Sequence, residues 1–414
     1  MKTFRLFVVL CMTLCSAYLF AEPVQLNVPD LFSGIFDQYA YNFVNTSMAG
    51  RGHTGISVRD RINVATQNPA AFRSNRPHFA IEIMVKNEVY EFNEMYWFNA
   101  PSLTEEGEME VRYTETNMRY QSPFPFSYFG VGFAPVNNFN FGLSYSLNRS
   151  IKYSFMRRDL LALATNRFLI PRNDTYPTFM EHQLTFTANR QFGNFTIGLN
   201  NNLLIHRFEY YRNEGRLDYM AFTEFIYRPQ IGVLYELRGL QVGASFTPKT
   251  ENTMERQYIR YEVVHQTNIK TGLSVDVMRD LRVLFDTDIN LYSETSEHFD
   301  DRITYKFGLE KMFENYSLKV GFIHSPSIFS GEHKVPNYFL GIPGTYHPNF
   351  KYNIPFKGNY RQTEMNMLTF GTSMEILPRT NLHLAMLTDL GDVGLSSFMA
   401  SLDIDLSVFE RRRR

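Results

Sequence analysis

Period-two alternation, sustained over segments of about ten residues, constrains this chain more than any other feature of its sequence. Phe139, Phe141, Leu143, Tyr145 and Leu147 alternate with Asn140, Gly142, Ser144, Ser146 and Asn148. Ile269, Thr271, Leu273, Val275 and Val277 alternate with Lys270, Gly272, Ser274 and Asp276, and Ile303, Tyr305, Phe307 and Leu309 with Thr304, Lys306, Gly308 and Glu310. Near the end, Ala400, Leu402, Ile404, Leu406 and Val408 alternate with Ser401, Asp403, Asp405 and Ser407. Alternation places one set on each face of a strand. A water-soluble sandwich alternates too, so one strand decides nothing. Here the polar set is rich in Gly, Asn, Ser and charge, and the lengths match the ~9–11 residues that a tilted strand needs to cross a bilayer.

Fourteen such segments begin near Phe79, Phe126, Phe139, Glu181, Phe195, Phe225, Leu240, Thr267, Leu281, Arg302, Tyr316, Glu364, Asn381 and Phe398. Short connections fall at 135–138, Gly193-Asn194, Arg238-Gly239, Arg279-Asp280, Glu314-Asn315 and Pro378-Arg379. Between them come longer ones, the largest at 92–124, 154–180, 249–266 and 325–362. An even number of antiparallel strands with tight turns at one end and long loops at the other is the outer-membrane barrel pattern. The sequence therefore predicts an all-β fold, a transmembrane antiparallel β-barrel of about 14 strands, with Phe141, Leu143, Ile269, Leu273, Ile404 and Leu406 facing lipid. The sheet must close, because an open edge in lipid leaves amides unpaired. The 38 Phe and 25 Tyr suit two interfacial girdles. Both ends of the barrel chain fall on the periplasmic side.

Charge and the N-terminus narrow the class further. With 41 Lys+Arg against 42 Asp+Glu the chain is too neutral for an obligate nucleic-acid binder, and with 44% hydrophobic residues too apolar for disorder. Lys2 and Arg5 precede the apolar run Leu6 to Leu14 and small residues at Cys15-Ser16-Ala17, a signal-peptide pattern with a second cleavage site after Ala21. Both cysteines lie inside it, so the mature chain has no disulfide scaffold. The expected organisation is a signal peptide at 1–21, a separate segment at 22–76, a barrel at 77–409 and a basic tail at 410–414.

Residues 22–76 do not follow the strand pattern. They contain Asn45-Thr46-Ser47-Met48-Ala49-Gly50-Arg51-Gly52-His53-Thr54-Gly55, then Asp60, then Asn68-Pro69-Ala70-Ala71-Phe72. Here the chain resembles the FadL/TodX family of outer-membrane hydrophobic-compound transporters, which open with a small-residue segment, an acidic residue and an Asn-Pro-Ala signature. Phe225 to Tyr235 and Val242 to Pro248 look like the family as well. The resemblance implies a fourteen-stranded barrel plugged by an N-terminal hatch, passing long-chain fatty acids or aromatic hydrocarbons that leave sideways through the wall. The expected hatch residues are Gly50, Gly52, Gly55, Asn68, Pro69 and Ala70.

Other motifs carry less. Gly50 to Gly55 satisfies G-x-G-x-x-G, but a dinucleotide site needs a preceding buried strand and a following helix, so close backbone packing is the better reading. Asn68-Pro69 reads as the end of an extended piece, since Pro biases its predecessor toward β. Asp286-x-Asp288-x-Asn290 with Glu297 echoes a calcium loop, but Leu291 stands where Gly is required; an inward acidic stripe, partnered by Lys306 or other basic groups, fits better. The ten His show no metal spacing, no G-x-S-x-G occurs, and no cofactor, metal or enzymatic activity is expected.

The leading expectation is passive uptake of hydrophobic small molecules such as long-chain fatty acids across the outer membrane of a diderm bacterium. The chain would act as a monomer with outer-membrane lipid and the barrel-assembly machinery as partners. Loops 154–180 and 325–362 carry Phe168, Leu169, Ile170, Phe339, Leu340 and Ile342, which are either a ligand-capture site or a lid. The rival reading is a non-transport barrel, acting as a secretion-associated shuttle, an adhesin or a surface antigen. An open porin is a third, against which the extra segment weighs.

Overall fold

The computed structural model describes residues 43–406 apart from breaks, the longer ones being 101–108, 120–125, 295–299, 327–364 and 392–395; side chains at 86–125, 151–179, 208–222 and 252–263 are not described. The expected signal peptide, the start of the 22–76 segment, Phe339, Leu340, Ile342 and the basic tail lie outside the described residues.

Fourteen strands form the barrel: β1 (His78–Asn87), β2 (Phe126–Gly132), β3 (Phe139–Arg157), β4 (Thr178–Phe192), β5 (Phe195–Asn213), β6 (Leu217–Leu237) and β7 (Leu240–Thr247) make the first half. β8 (Asn268–Met278), β9 (Leu281–Asn290), β10 (Arg302–Met312), β11 (Tyr316–Ser325), β12 (Met365–Leu377), β13 (Thr380–Asp389) and β14 (Ser396–Asp405) make the second. Each pairs antiparallel with the next, and β1 pairs with β14 from His78↔Asp405 to Asn87↔Ser396. That last ladder removes the edges that lipid cannot hydrate. Tight turns at the expected sites are made possible by left-handed residues, Asn138, Gly193, Gly239 and Arg379.

The barrel is apolar outside and polar inside. Along β11, Tyr316, Leu318, Val320 and Phe322 are exposed while Ser317, Lys319, Gly321 and Ile323 are buried. Along β10, Ile303, Tyr305 and Phe307 are exposed while Arg302, Thr304 and Lys306 are buried. Leu143 and Leu273 face outward, and Ser144 and Ser274 inward. Exposed apolar side chains on every second position are stable only against hydrocarbon, so this surface belongs in an outer membrane.

Three connections expected as loops contain strands. Val89–Phe92 and Glu115–Arg119 pair beyond β1 and β2, and Thr250–Arg256 and Ile259–His265 form a hairpin beyond β7 and β8. Tyr96–Ala100, Met109–Tyr113, Leu160–Ala162 and Arg167–Ile170 form a separate four-stranded sheet. An antiparallel ladder that does not face hydrocarbon needs no apolar alternation, and periodicity does not mark these strands.

Residues 43–72 lie inside the barrel. They form α1 (Thr46–Ala49) and 3₁₀ turns at Ile62–Thr66 and Pro69–Ala71, with Met48, Ile62, Val64, Ala65, Ala71 and Phe72 buried against Ala80 and Tyr128 of the wall. Ala49 joins a second cluster with Met84, Ile323, Met365, Met367 and Leu387. Each large apolar side chain so buried contributes about 1.5–3 kcal/mol.

Candidate functional site

The lumen and the segment inside it form the candidate site. A segment with little regular structure must satisfy its amides and carbonyls individually, and here the inward side chains of the wall do so. Glu82 on β1 accepts from the Asn45 and Thr46 amides at 2.9 and 3.1 Å, and from Asn63 Nδ2 at 3.0 Å. Asp286 on β9 accepts from the Gly55 and Ile56 amides at 2.7 and 3.1 Å. Thr369 on β12 accepts from the Gly52 amide at 2.7 Å, and Glu310 on β10 pairs with Arg51 at 2.6 Å.

Wall donors hold the carbonyls. Asn189 Nδ2 donates to Pro69 and Phe72 carbonyls at 2.8 and 2.6 Å, Asn200 to Ala65 at 2.7 Å, and Gln230 and Ser245 to Gln67 at 3.0 and 2.8 Å. Lys270 Nζ reaches the Gln67 side chain at 2.7 Å and Lys319 Nζ the Ser47 hydroxyl at 2.6 Å. Charged and amide groups facing the lumen, unremarkable in sequence, are thus contacts to one segment.

Glycines bring backbone to backbone. Gly132↔Gly142, Gly198↔Gly232 and Gly308↔Gly321 are directly opposed pairs in neighbouring strands, as are Gly243↔Gly272. A β-carbon at Gly321 would collide with Gly52, one at Gly308 with Arg51, one at Gly243 with Ile56 and one at Gly198 with Ala70. Of the six residues expected in the hatch, Gly50 lies on Gly371 of the wall, Gly52 on β10 and β11 and Gly55 on Met48 and Arg51. Asn68 caps the 3₁₀ turn through its Oδ1, accepting from the Ala70 amide at 3.0 Å, and its Nδ2 donates to Ile56 and Val233 carbonyls at 2.8 and 3.1 Å. Asn68, Pro69 and Ala70 sit against Gly198 and Gly232. The G-x-G-x-x-G stretch follows no strand among the described residues.

His53 is buried under Phe43 and bonds the Val44 carbonyl at 3.0 Å. Burial, and then the charge of Lys306, push its imidazole down to about 3.

Toward the long-loop end, a cavity of about 220 Å³ lies over the segment, with Phe43, His53 and Gln67 at its floor. Its walls carry Arg228, Lys270, Arg302 and Lys306 against Asp288 and Glu181. Lys306 stands 3.4 Å from Asp288 and is thus one of the basic partners of the acidic stripe. The lining mixes these polar groups with Phe43, Val44, Ile323 and Met365, and positive side chains outnumber negative ones. Phe168, Leu169 and Ile170 belong to the strand Arg167–Ile170, and their side chains lie outside the described residues.

A closed antiparallel barrel of fourteen strands, apolar outside and with its own N-terminal segment in the lumen, has the architecture of an outer-membrane β-barrel protein. Solved structures with this fold are a Pseudomonas aeruginosa FadL homologue (TM-score 0.57, 9% identity, 88% of this chain and 99% of that one) and the Ralstonia pickettii toluene transporter TbuX (0.54, 12%, 88% and 97%). The Pseudomonas putida toluene transporter TodX matches as well (0.51, 11%, 90% and 98%). The chain thus has the FadL/TodX-type barrel fold, as its sequence resemblance implied. No family model matches the chain, and no curated protein matches it in sequence.

Proposed function

We propose that the protein is a passive outer-membrane channel for hydrophobic small molecules, long-chain fatty acids in particular, gated by residues 22–76 acting as a hatch. The observation that carries this reading is the segment seated across the lumen by contacts from almost every strand. An irregular buried segment needs such seating, and hydrogen bonds of this kind can be exchanged for water when the segment moves. The cationic cavity supports an amphiphile with an anionic head over a bare hydrocarbon, because Lys270, Arg302 and Lys306 would face its carboxylate. First contact is assigned to Phe168, Leu169 and Ile170, and to Phe339, Leu340 and Ile342.

The test uses the purified full chain in vesicles whose outer leaflet is lipopolysaccharide. It should accelerate entry of a long-chain fatty acid over protein-free vesicles, and bind the free acid more tightly than its methyl ester. Entry no faster than in protein-free vesicles overturns the transport reading and leaves a non-transport barrel.

A further inference from the structure

The ten histidines are scattered in sequence, yet two of them converge with a carboxylate inside the lumen. Glu181 on β4, His206 on β5 and His265 at the end of the hairpin beyond β8 are each at most 2% exposed. His206 Nε2 lies 3.2 Å from Glu181 Oε2, His265 Nε2 lies 3.2 Å from His206 Nε2, and His265 Nε2 lies 3.7 Å from Glu181 Oε2. Three donor atoms thus form one small triangle.

We propose that Glu181, His206 and His265 bind a divalent transition-metal ion, zinc best among them, with an open coordination position toward the lumen cavity. A point about 2 Å from all three atoms exists, matching zinc ligand distances of about 2.0–2.2 Å to imidazole nitrogen and carboxylate oxygen. A proton on either nitrogen serves only one edge of the triangle, while a cation at its centre serves all three. Two imidazoles and a carboxylate are a donor set that suits zinc and its neighbours over calcium or magnesium, which take oxygen.

The second oxygen of the carboxylate is held independently: Asn148 Nδ2 donates to Glu181 Oε1 at 3.1 Å, which leaves Oε2 turned to the histidines. Such outer contacts orient a ligand and raise affinity. Arg149, whose Nε lies 3.8 Å from Glu181 Oε2, contributes a like charge that lowers affinity without blocking the triangle. Glu181 also lines the cavity, so water or an oxygen donor of a passing ligand completes the coordination. The three ligands come from separate strands, and the ion would tie the hairpin to the wall.

The full chain, purified in detergent without a polyhistidine tag, is equilibrated with Zn²⁺, dialysed and assayed for metal by mass spectrometry. About one retained ion per chain is expected. Glu181→Gln, His206→Gln and His265→Gln should each weaken binding at least tenfold, the loss typical of even an outer-sphere contact, while the heat-modifiable gel shift reports an intact barrel. Cobalt provides a readout on the native chain: visible d–d bands of low-symmetry nitrogen and oxygen coordination should appear with one equivalent and vanish on adding Zn²⁺. No retained zinc, binding in the three variants as tight as in the native chain, or absence of the cobalt bands would each overturn the site.

Discussion

Glu82 illustrates how a single wall side chain sets the position of the segment. Its Oε2 accepts three bonds from Asn45 and Thr46, two of them from backbone amides that open α1. A bond to a charged group is worth about 1.5–3 kcal/mol, and leaving its buried donors unpaired costs a similar amount each. Glu82→Ala should therefore release the segment and leave the barrel folded. Limited trypsin digestion should then cut after Arg51, Arg59 or Arg61 in the variant and spare the native chain; identical digestion of the two would refute this role. His53 adds a pH term. Its imidazole titrates at 6.5 when free and about 3 when seated, so between those values the released segment takes up a proton that the seated one refuses. His53's own contribution to seating is lost as pH falls through that window and is constant above it. Channel-opening events in a planar bilayer should become more frequent toward acid, and less steeply so in His53→Asn, which tolerates the left-handed backbone at φ 52°.

At the level of the strand, one rule governs both what could be read and what could not. All fourteen barrel strands were legible because the bilayer imposes apolar residues on alternate positions, as along Ile303, Tyr305 and Phe307. The hairpin 250–265 and the pairs beyond β1 and β2 were not legible, since a ladder that does not face hydrocarbon need not alternate. The inward glycines were visible as residues, but their purpose is defined by cross-strand register: Gly308 and Gly321 become one seat only once β10 and β11 pair. For the same reason Glu181, His206 and His265 look unrelated in sequence, where spacing rules catch ligands on one element only. Outward positions carry the clearest test. Leu273→Arg, facing lipid, should cost ~2–4 kcal/mol near the bilayer midplane while Leu273→Phe costs little. The measurement is urea unfolding in lipid vesicles, and equal stability of the two variants would contradict the outward assignment.

For the whole molecule, the decisive quantity is ion flow. A fourteen-stranded barrel is wider than the eight-stranded kind that side chains alone can fill, so residues 43–72 account for much of what occupies the lumen. The intact protein should conduct poorly across a planar bilayer, and deletion of residues 22–66 should give larger, steadier conductance with the barrel preserved. A large stable conductance from the intact chain would promote an open porin instead. The order of the wall contacts along the segment has a mechanical consequence. Glu82 grips residues 45 and 46, Glu310 and Thr369 grip 51 and 52, Asp286 grips 55 and 56, and Asn189 grips 69 and 72. Tension applied at the N-terminal end therefore loads these grips one after another, as in peeling tape, and never all together as in shear. The peak force needed to draw the segment from its seat is therefore set by the strongest single grip and not by their sum.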